Sequence, residues 1–219
     1  MKRVSLFCGH FGSGKTNLAV NYAFFLKEQG LPVAIADLDI VNPYFRTKDS
    51  EDELKAAGID VISLPFANSN VDLPSVPSQV YGLVQRTDRY AVLDIGGDED
   101  GAFALGRYAP YLLEENNFDL FFVVNFFRPL TRTAEDALVF LREIEAASHL
   151  SFTGIINNSN LGCDTTAETL LSSTGELARL AELSGLPVCW TSADQKLVKD
   201  LEGKVQNLFP LHLQKRATD

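Results

Sequence analysis

The stretch Gly9-His10-Phe11-Gly12-Ser13-Gly14-Lys15-Thr16 decides the fold, because the residues on either side of it predict a strand and a helix. An apolar run at 4–8 precedes it, and a helical pattern at 17–26 follows it. Strand, G-x-x-x-x-G-K-[ST] and helix in this order are typical of a phosphate-binding loop. The glycines let successive backbone N–H groups turn toward a polyphosphate, and the helix N-terminus adds partial positive charge.

The loop also predicts roles for its last two residues. Lys15 is expected to pair with the β- and γ-phosphates, and the Thr16 hydroxyl to ligate Mg²⁺. A dinucleotide site of the G-x-G-x-x-G type fits poorly, because Asn17 occupies the position of the third glycine. The residues expected to contact nucleotide here are Gly9, Phe11, Gly12, Ser13, Gly14, Lys15, Thr16 and Asn17.

Composition narrows the function classes. The chain has 219 residues, of which 46% are apolar, so we expect one α/β domain over 1–219. The net charge of −10 disfavours nucleic acid and anionic lipid as partners. Every apolar run is too short to span a membrane, and the chain enters its first strand without a signal peptide, so a cytoplasmic location is expected. Three dispersed cysteines show no metal-ligand spacing.

Strand-like and helical segments alternate along the chain. Nearly all-apolar strands are typical of a parallel sheet covered on both faces, so the pattern predicts a doubly wound, mainly parallel, seven-stranded sheet with helices on both faces. The predicted strands are 3–8, 33–37, 60–64, 90–94, 119–124, 152–156 and 187–190. The predicted helices are 15–29, 49–57, 78–87, 102–115, 133–147, 174–183 and 194–204, and the proline-rich segment 65–77 is predicted to be a long loop.

Carboxylates follow two of these strands. Asp37 ends the second strand and Asp39 follows two residues later, so both point to the same side. Asp94 ends the fourth strand, where a Walker B aspartate would hold Mg²⁺, and Gly97 lies in a glycine pair that lets the backbone approach a γ-phosphate. Ligands of open parallel sheets bind at the carboxyl ends of the strands, so we expect these residues beside the loop.

Together, the phosphate loop, the aspartate pair and the D-x-G-G segment at 94–97 resemble the MinD/ParA group of the signal-recognition/MinD class of P-loop NTPases. The resemblance covers most of the chain. It implies that Asp39 orients or activates the attacking water, that Asp37 supports Mg²⁺ and Lys15, and that Asn157 reads the base. Metals would then be held by Thr16, Asp37 and Asp94, and the catalytic set would be Lys15, Asp39 and Asp37.

The chain departs from that group at one position. The group carries a signature lysine after the first glycine of the loop, which reaches the partner's phosphates in a nucleotide-sandwich dimer, and here His10 stands in its place. A histidine is shorter and, with an unperturbed pKa, mostly neutral at pH 7. Arg46, Arg128 and Arg132 are the candidates to replace the missing charge, because a guanidinium matches phosphate geometry.

The resemblance favours a Mg²⁺-dependent ATPase that acts as a switch on a partner protein, with a nucleotide-dependent homodimer as one form. Adenine is preferred over guanine because Asn157-Asn158-Ser159-Asn160 lacks the carboxylate of an N-K-x-D motif. Accessory ATPases of metalloenzyme maturation are related, and a GTPase-type metallocentre accessory protein is an alternative. A second alternative is an ATP-dependent kinase or ligase. Its substrate pocket could be formed by Tyr44, Arg46 and the 65–77 loop. A DNA- or membrane-bound positioning protein is the third alternative, and net charge disfavours it.

Overall fold

The computed structural model describes residues 1–38, 50–63, 78–85, 88–97 and 99–213. Within them, all strand pairs are parallel and form one sheet with the order β3-β2-β4-β1-β5-β6-β7-β8. The strands are β1 Val4–Cys8, β2 Val33–Leu38, β3 Asp60–Ser63, β4 Tyr90–Ile95, β5 Phe118–Val124, β6 Gly154–Asn157, β7 Val188–Asp194 and β8 Leu208–Leu211. The predicted doubly wound α/β architecture is confirmed.

The helices alternate with the strands through most of the chain. They are α1 Lys15–Glu28, α2 Glu51–Ala56, α3 Ser78–Gln85, α4 Glu99–Gly106, α5 Ala109–Glu115, α6 Ala134–Ser148, α7 Ala167–Ser172, α8 Thr174–Ser184 and α9 Val198–Leu201. Their ends follow local sequence: Thr133 caps α6 by accepting a hydrogen bond from the Asp136 N–H, and Gly185 ends α8 in the left-handed conformation.

The structure differs from the prediction in several details. Within the described residues the sheet has eight strands rather than seven, because 208–211 pairs with β7 at the sheet edge. Pro210 argued against a strand at this position in the sequence, although an edge strand tolerates a residue without an N–H. The helix expected over 102–115 is two helices, α4 and α5, with Pro110 in the first turn of α5. The short helix α7 was not predicted, and 194–204 contains only the four-residue α9 after a 3-10 turn.

Alternating side chains along each strand pack on opposite faces of the sheet. Leu6 of β1 belongs to the apolar core under α4, α5, α6 and α8, whereas Phe7 belongs to the core under α1 and α2. Both side chains are fully buried. Covering of both faces explains why the strands are almost wholly apolar, as a parallel sheet requires.

The strand order places β1 at the centre of the sheet, between β4 and β5. The chain moves from β1 to one side for β2 and β3, returns for β4, and then continues on the other side with β5. Such a reversal leaves a crevice at the carboxyl ends of the central strands. The phosphate loop, which directly follows β1, therefore lies at this crevice.

None of the helices in the described ranges is long and apolar enough to span a membrane.

Candidate functional site

The phosphate loop connects β1 to the buried first turn of α1. Gly14 precedes the helix in the left-handed conformation, with φ of +87°, and its carbonyl accepts the first intrahelical bond from the Leu18 N–H at 3.1 Å. A turn inside the loop is closed by the Ser13 N–H, which donates to the His10 carbonyl at 3.1 Å. The sequence folds this way because glycine adopts a positive φ without steric cost.

Lys15 and Thr16 occupy the first turn of α1, and both side chains are buried. The Lys15 Nζ lies over the loop, 3.4 Å from the His10 carbonyl oxygen. No carboxylate of the described chain lies within ion-pair distance of this ammonium group. A buried cation at a helix N-terminus is an arrangement that attracts an anion into the loop.

Two carboxylates lie side by side next to the loop. Asp37 of β2 and Asp94 of β4 are register partners on adjacent strands, and Asp94 also aligns with Phe7 of β1. Asp94 is fully buried and Asp37 nearly so. Asp37 and Asp94 therefore lie together at the carboxyl end of the sheet, while the roles assigned to them stay predictions.

The donor set suits Mg²⁺. Two carboxylates from adjacent strands and the hydroxyl of Thr16 are hard oxygen ligands, and Mg²⁺ in phosphate sites uses few protein ligands besides waters and phosphate oxygens. Among the residues that the structure describes, no group of three or more His, Cys, Asp or Glu side chains forms a metal site. A cation here would thus depend on the phosphates as well as on the protein.

Gly97 packs directly on the phosphate loop. A Cβ atom at this position would lie 2.7 Å from the Phe11 nitrogen and 2.8 Å from both the Gly9 carbonyl oxygen and the Lys15 Nζ. These separations are too short for any side chain, so glycine is required for the segment after β4 to touch the loop. The predicted approach of this backbone to the phosphate site agrees with the contact.

Asn158 fixes the loop from the other side. Its Nδ2 donates to the Ser13 carbonyl at 2.6 Å, and its Oδ1 accepts from the Ser192 hydroxyl at 2.6 Å. All three residues are buried. Because the Ser13 carbonyl and the Gly14 N–H belong to one planar trans peptide, holding the carbonyl toward Asn158 directs that N–H the opposite way.

Neither Asn158 nor Ser192 is among the site residues predicted from the sequence. A signal was present, since Asn158 directly follows β6 and Ser192 lies in the carboxyl-terminal half of β7. Asn157, which was predicted to read the base, is fully buried. Its Nδ2 donates to the Ser173 hydroxyl at 2.9 Å, and its Oδ1 accepts from the Ser159 N–H at 3.1 Å.

The other predicted residues divide between the loop surface and the part of the chain not described. Phe11 is 54% exposed at the tip of the loop, and Asn17 lies half-buried on α1. His10 packs its ring edge-on against Phe140 of α6 with centroids 5.0 Å apart, and its Nδ1 donates to the Phe11 carbonyl at 2.9 Å. The predictions for Asp39, Tyr44, Arg46 and 65–77 lie outside the described residues.

The order of the parallel strands and the phosphate loop after β1 are those of a P-loop NTPase fold. No protein-family model matches the chain, and no curated protein matches it either. Solved structures do. Chloroplast FtsY from Physcomitrella patens superposes with a TM-score of 0.60 and 18% identity, covering 87% of this chain and 58% of that one. Cell division protein FtsY from Thermotoga maritima gives a TM-score of 0.58 and 16% identity, covering 88% and 62%.

A third neighbour is the signal recognition particle receptor FtsY from Elizabethkingia anophelis in complex with GDP, with a TM-score of 0.57 and 15% identity. The superposition covers 88% of this chain and 57% of that neighbour. The chain thus spans about three-fifths of the length of these neighbours, and at this level of identity the similarity shows the fold. It agrees with the α/β fold predicted from the sequence, while the resemblance to the MinD/ParA group stays a prediction.

Proposed function

We propose that this protein is a Mg²⁺-dependent nucleoside triphosphatase that acts as a switch on a partner protein, with ATP as the preferred nucleotide. The observation that carries the proposal is the convergence of Lys15, Thr16, Asp37, Asp94 and Gly97 at the carboxyl ends of the central strands. A buried ammonium group, a helix N-terminus and two adjacent carboxylates suit a magnesium-bound triphosphate.

Each residue has a distinct task in this proposal. Lys15 binds the β- and γ-phosphate oxygens, and the loop N–H groups bind the remaining equatorial oxygens. Thr16, Asp37 and Asp94 hold Mg²⁺, which when bound neutralises charge that develops on the phosphates. Asp39 orients the attacking water. The Gly97 backbone lies where it can respond to the terminal phosphate, and this contact is the proposed link between nucleotide state and the segment after β4.

The base preference rests on the chain after β6. Guanine presents two adjacent N–H donors that a carboxylate satisfies. Residues 157–160 contain no carboxylate, which supports ATP. The amide groups of Asn157 and Asn158 are bonded to other residues of the protein, so the preference rests on the missing carboxylate and not on a carboxamide that reads adenine. The GDP bound to one structural neighbour supports GTP instead, so both nucleotides belong in the first experiment.

That experiment is calorimetric titration of the purified protein with the non-hydrolysable analogues of ATP and GTP, with and without Mg²⁺. We expect saturable, Mg²⁺-dependent binding that favours the adenine analogue. Lys15→Ala should abolish it, and Lys199→Ala, which removes an exposed lysine outside the loop, is the matched control. Equal binding by wild type and Lys15→Ala would remove the phosphate-loop assignment, and preference for the guanine analogue would reassign the base.

Light scattering then tests the switch. The Asp39→Ala variant, which is designed to hold ATP without turnover, should show a larger mass with Mg²⁺ and ATP than with ADP if nucleotide drives homodimer formation. An unchanged mass would direct the proposal toward a heterologous protein activator or a small-molecule phosphate acceptor, as in the kinase or ligase alternative.

A further inference from the structure

The turn that follows β5 is fixed by one buried amide. Asn125 is fully buried, and its carbonyl accepts from the Thr131 hydroxyl at 2.8 Å and from the Arg128 N–H at 3.1 Å. Its side-chain Oδ1 accepts from the Phe127 N–H at 3.0 Å. The backbone of 125–131 is therefore specified by hydrogen bonds, so the direction in which residue 128 leaves the turn is also specified.

Arg128 leaves this turn toward the phosphate loop. Its Nε donates to the Gly12 carbonyl at 2.8 Å. A Cβ on Gly12 would lie 3.3 Å from that Nε and 3.4 Å from Cζ, so the guanidinium rests on the loop backbone where glycine makes room for it. An ordinary solvated arginine makes no such contact. Arg132, four positions along the chain, is exposed and has no side-chain hydrogen bond within the described ranges.

The terminal amino groups of Arg128 have no carboxylate partner in the described part of the chain. As far as the described residues go, the two terminal nitrogens donate no hydrogen bond, so the guanidinium presents them at the rim of the phosphate loop. The ring of His10 packs on Phe140 instead, and its Nδ1 donates to the Phe11 carbonyl.

We propose that Arg128 is a second cationic ligand of the terminal phosphate of a nucleoside triphosphate, and that it makes the loop prefer triphosphate to diphosphate. The inference rests on the proposed nucleotide-binding function and adds a residue to it. The Nε bond to Gly12 positions the guanidinium, and the terminal nitrogens form charge-assisted hydrogen bonds with phosphate oxygens. The phosphate belongs either to the nucleotide in the same loop or to one held by a second copy of the chain.

The test compares affinities for a triphosphate and a diphosphate. Calorimetry with a non-hydrolysable ATP analogue and with ADP, both with Mg²⁺, should show that Arg128→Gln binds the analogue on the order of tenfold more weakly. Its affinity for ADP should change less than about twofold, because ADP lacks the contacted phosphate. Arg128→Lys, which keeps the charge and loses the fork, should be intermediate, and the defect should shrink at high salt.

Arg142→Gln is the matched control, since it removes the same charge from the exposed face of α6, where Arg142 pairs with Glu145, and it should leave both affinities unchanged. Unchanged analogue binding by Arg128→Gln would overturn the proposal. An equal loss for the analogue and ADP would also overturn it, because that pattern indicates only a structural role for the bond to Gly12. Failure of the wild-type protein to bind either nucleotide would instead overturn the proposed function itself.

Mixing distinguishes the two sources of phosphate. The Lys15→Ala variant retains Arg128 and binds no nucleotide, so it is added in excess to Arg128→Gln before titration with the analogue. Recovery of analogue affinity by Arg128→Gln would show that Arg128 acts on the nucleotide of a second copy. No recovery, together with the selective loss in Arg128→Gln alone, would assign Arg128 to the nucleotide in its own loop.

Discussion

Arg3 and Arg128 are two guanidinium groups at opposite ends of the central strands, and they differ in what satisfies them. Arg3 is buried before β1 and forms an ion pair with Glu115, in addition to hydrogen bonds with the carbonyls of Leu83, Val84 and Arg89. Arg128 follows β5 and is exposed, and among the residues that the structure describes its guanidinium donates one hydrogen bond, from Nε to the Gly12 carbonyl.

The difference separates stability from binding. A buried charge with a complete set of partners holds elements together, and its loss leaves the partners unsatisfied. A cation whose donors are not all used adds little to stability and remains available to an anion. The amino end of the sheet is therefore expected to respond to substitution through folding, and the carboxyl end through nucleotide affinity.

Arg3→Met should have the largest effect. It leaves Glu115 and the nearby carbonyls without their buried partner, so the free energy of unfolding should fall by about 3 kcal/mol. Urea denaturation measures this change, while nucleotide affinity under native conditions should stay within about twofold of wild type. Arg179→Met is the control, because Arg179 pairs with Glu135 and Glu182 at the surface and should be dispensable. A strong loss of affinity in folded Arg3→Met would break the comparison.

Gly97→Ala should lower nucleotide affinity, in contrast to Arg3→Met, which should lower stability. The added methyl group would displace the loop at the Phe11 nitrogen or push Lys15 aside. A displacement of this kind should lower affinity for the triphosphate analogue by about a hundredfold, as misplacement of binding groups commonly does. Calorimetry measures the affinity.

Gly175→Ala is the control for this substitution, because nothing lies within 4 Å of a Cβ at that helical glycine. Wild-type affinity in Gly97→Ala would show that the contact between the β4 segment and the loop is unimportant for binding.

Asn158→Ala should reduce affinity less. Loss of the bond to the Ser13 carbonyl frees the Gly14 peptide to rotate, and removal of one buried partner corresponds to about a tenfold change. Ser192→Ala removes only the hydroxyl that holds Asn158, so its effect should be smaller and in the same direction. If the Ser192 variant binds more weakly than the Asn158 variant, the proposed order of support from β7 through Asn158 to the loop is wrong.

The sequence predicted the loop and the aspartates because their signals are local. Lys15, Thr16 and Asp94 lie in a motif or directly after an apolar strand, and the parallel sheet brings such positions together without further information. The contacts of Asn158 and Arg128 could not be predicted in the same way, since each joins segments more than a hundred residues apart through one side chain. Strand β8 was missed for a related reason, because its pairing with β7 outweighs the unfavourable proline.

Substitution of Tyr108 has the smallest expected effect, because Tyr108 is a buried polar residue that, within the described ranges, lacks the partners that Arg3 has. It lies at the start of α5, the helix that carries Glu115, and is fully buried. Its hydroxyl has no hydrogen-bond partner among the described residues, and burial raises the pKa of Tyr108 above its ordinary value. Since an unsatisfied buried hydroxyl contributes no net stability, Tyr108→Phe should leave the free energy of unfolding unchanged or raise it by up to about 1 kcal/mol.

The pH dependence follows from the sign of that shift. A raised pKa means that the folded protein retains the phenolic proton more strongly than the unfolded chain, whose tyrosine pKa is about 10. Relative to the ionised form, the protonated hydroxyl favours the folded state. This effect on the free energy of unfolding is complete below pH 10 and is lost as the pH rises further. Urea denaturation of wild type and Tyr108→Phe at several pH values should therefore show a steeper alkaline loss of stability in wild type. If the two pH profiles are parallel and Tyr108→Phe is less stable than wild type, the hydroxyl has a hydrogen-bond partner. Tyr108 would then be fully paired, as Arg3 is.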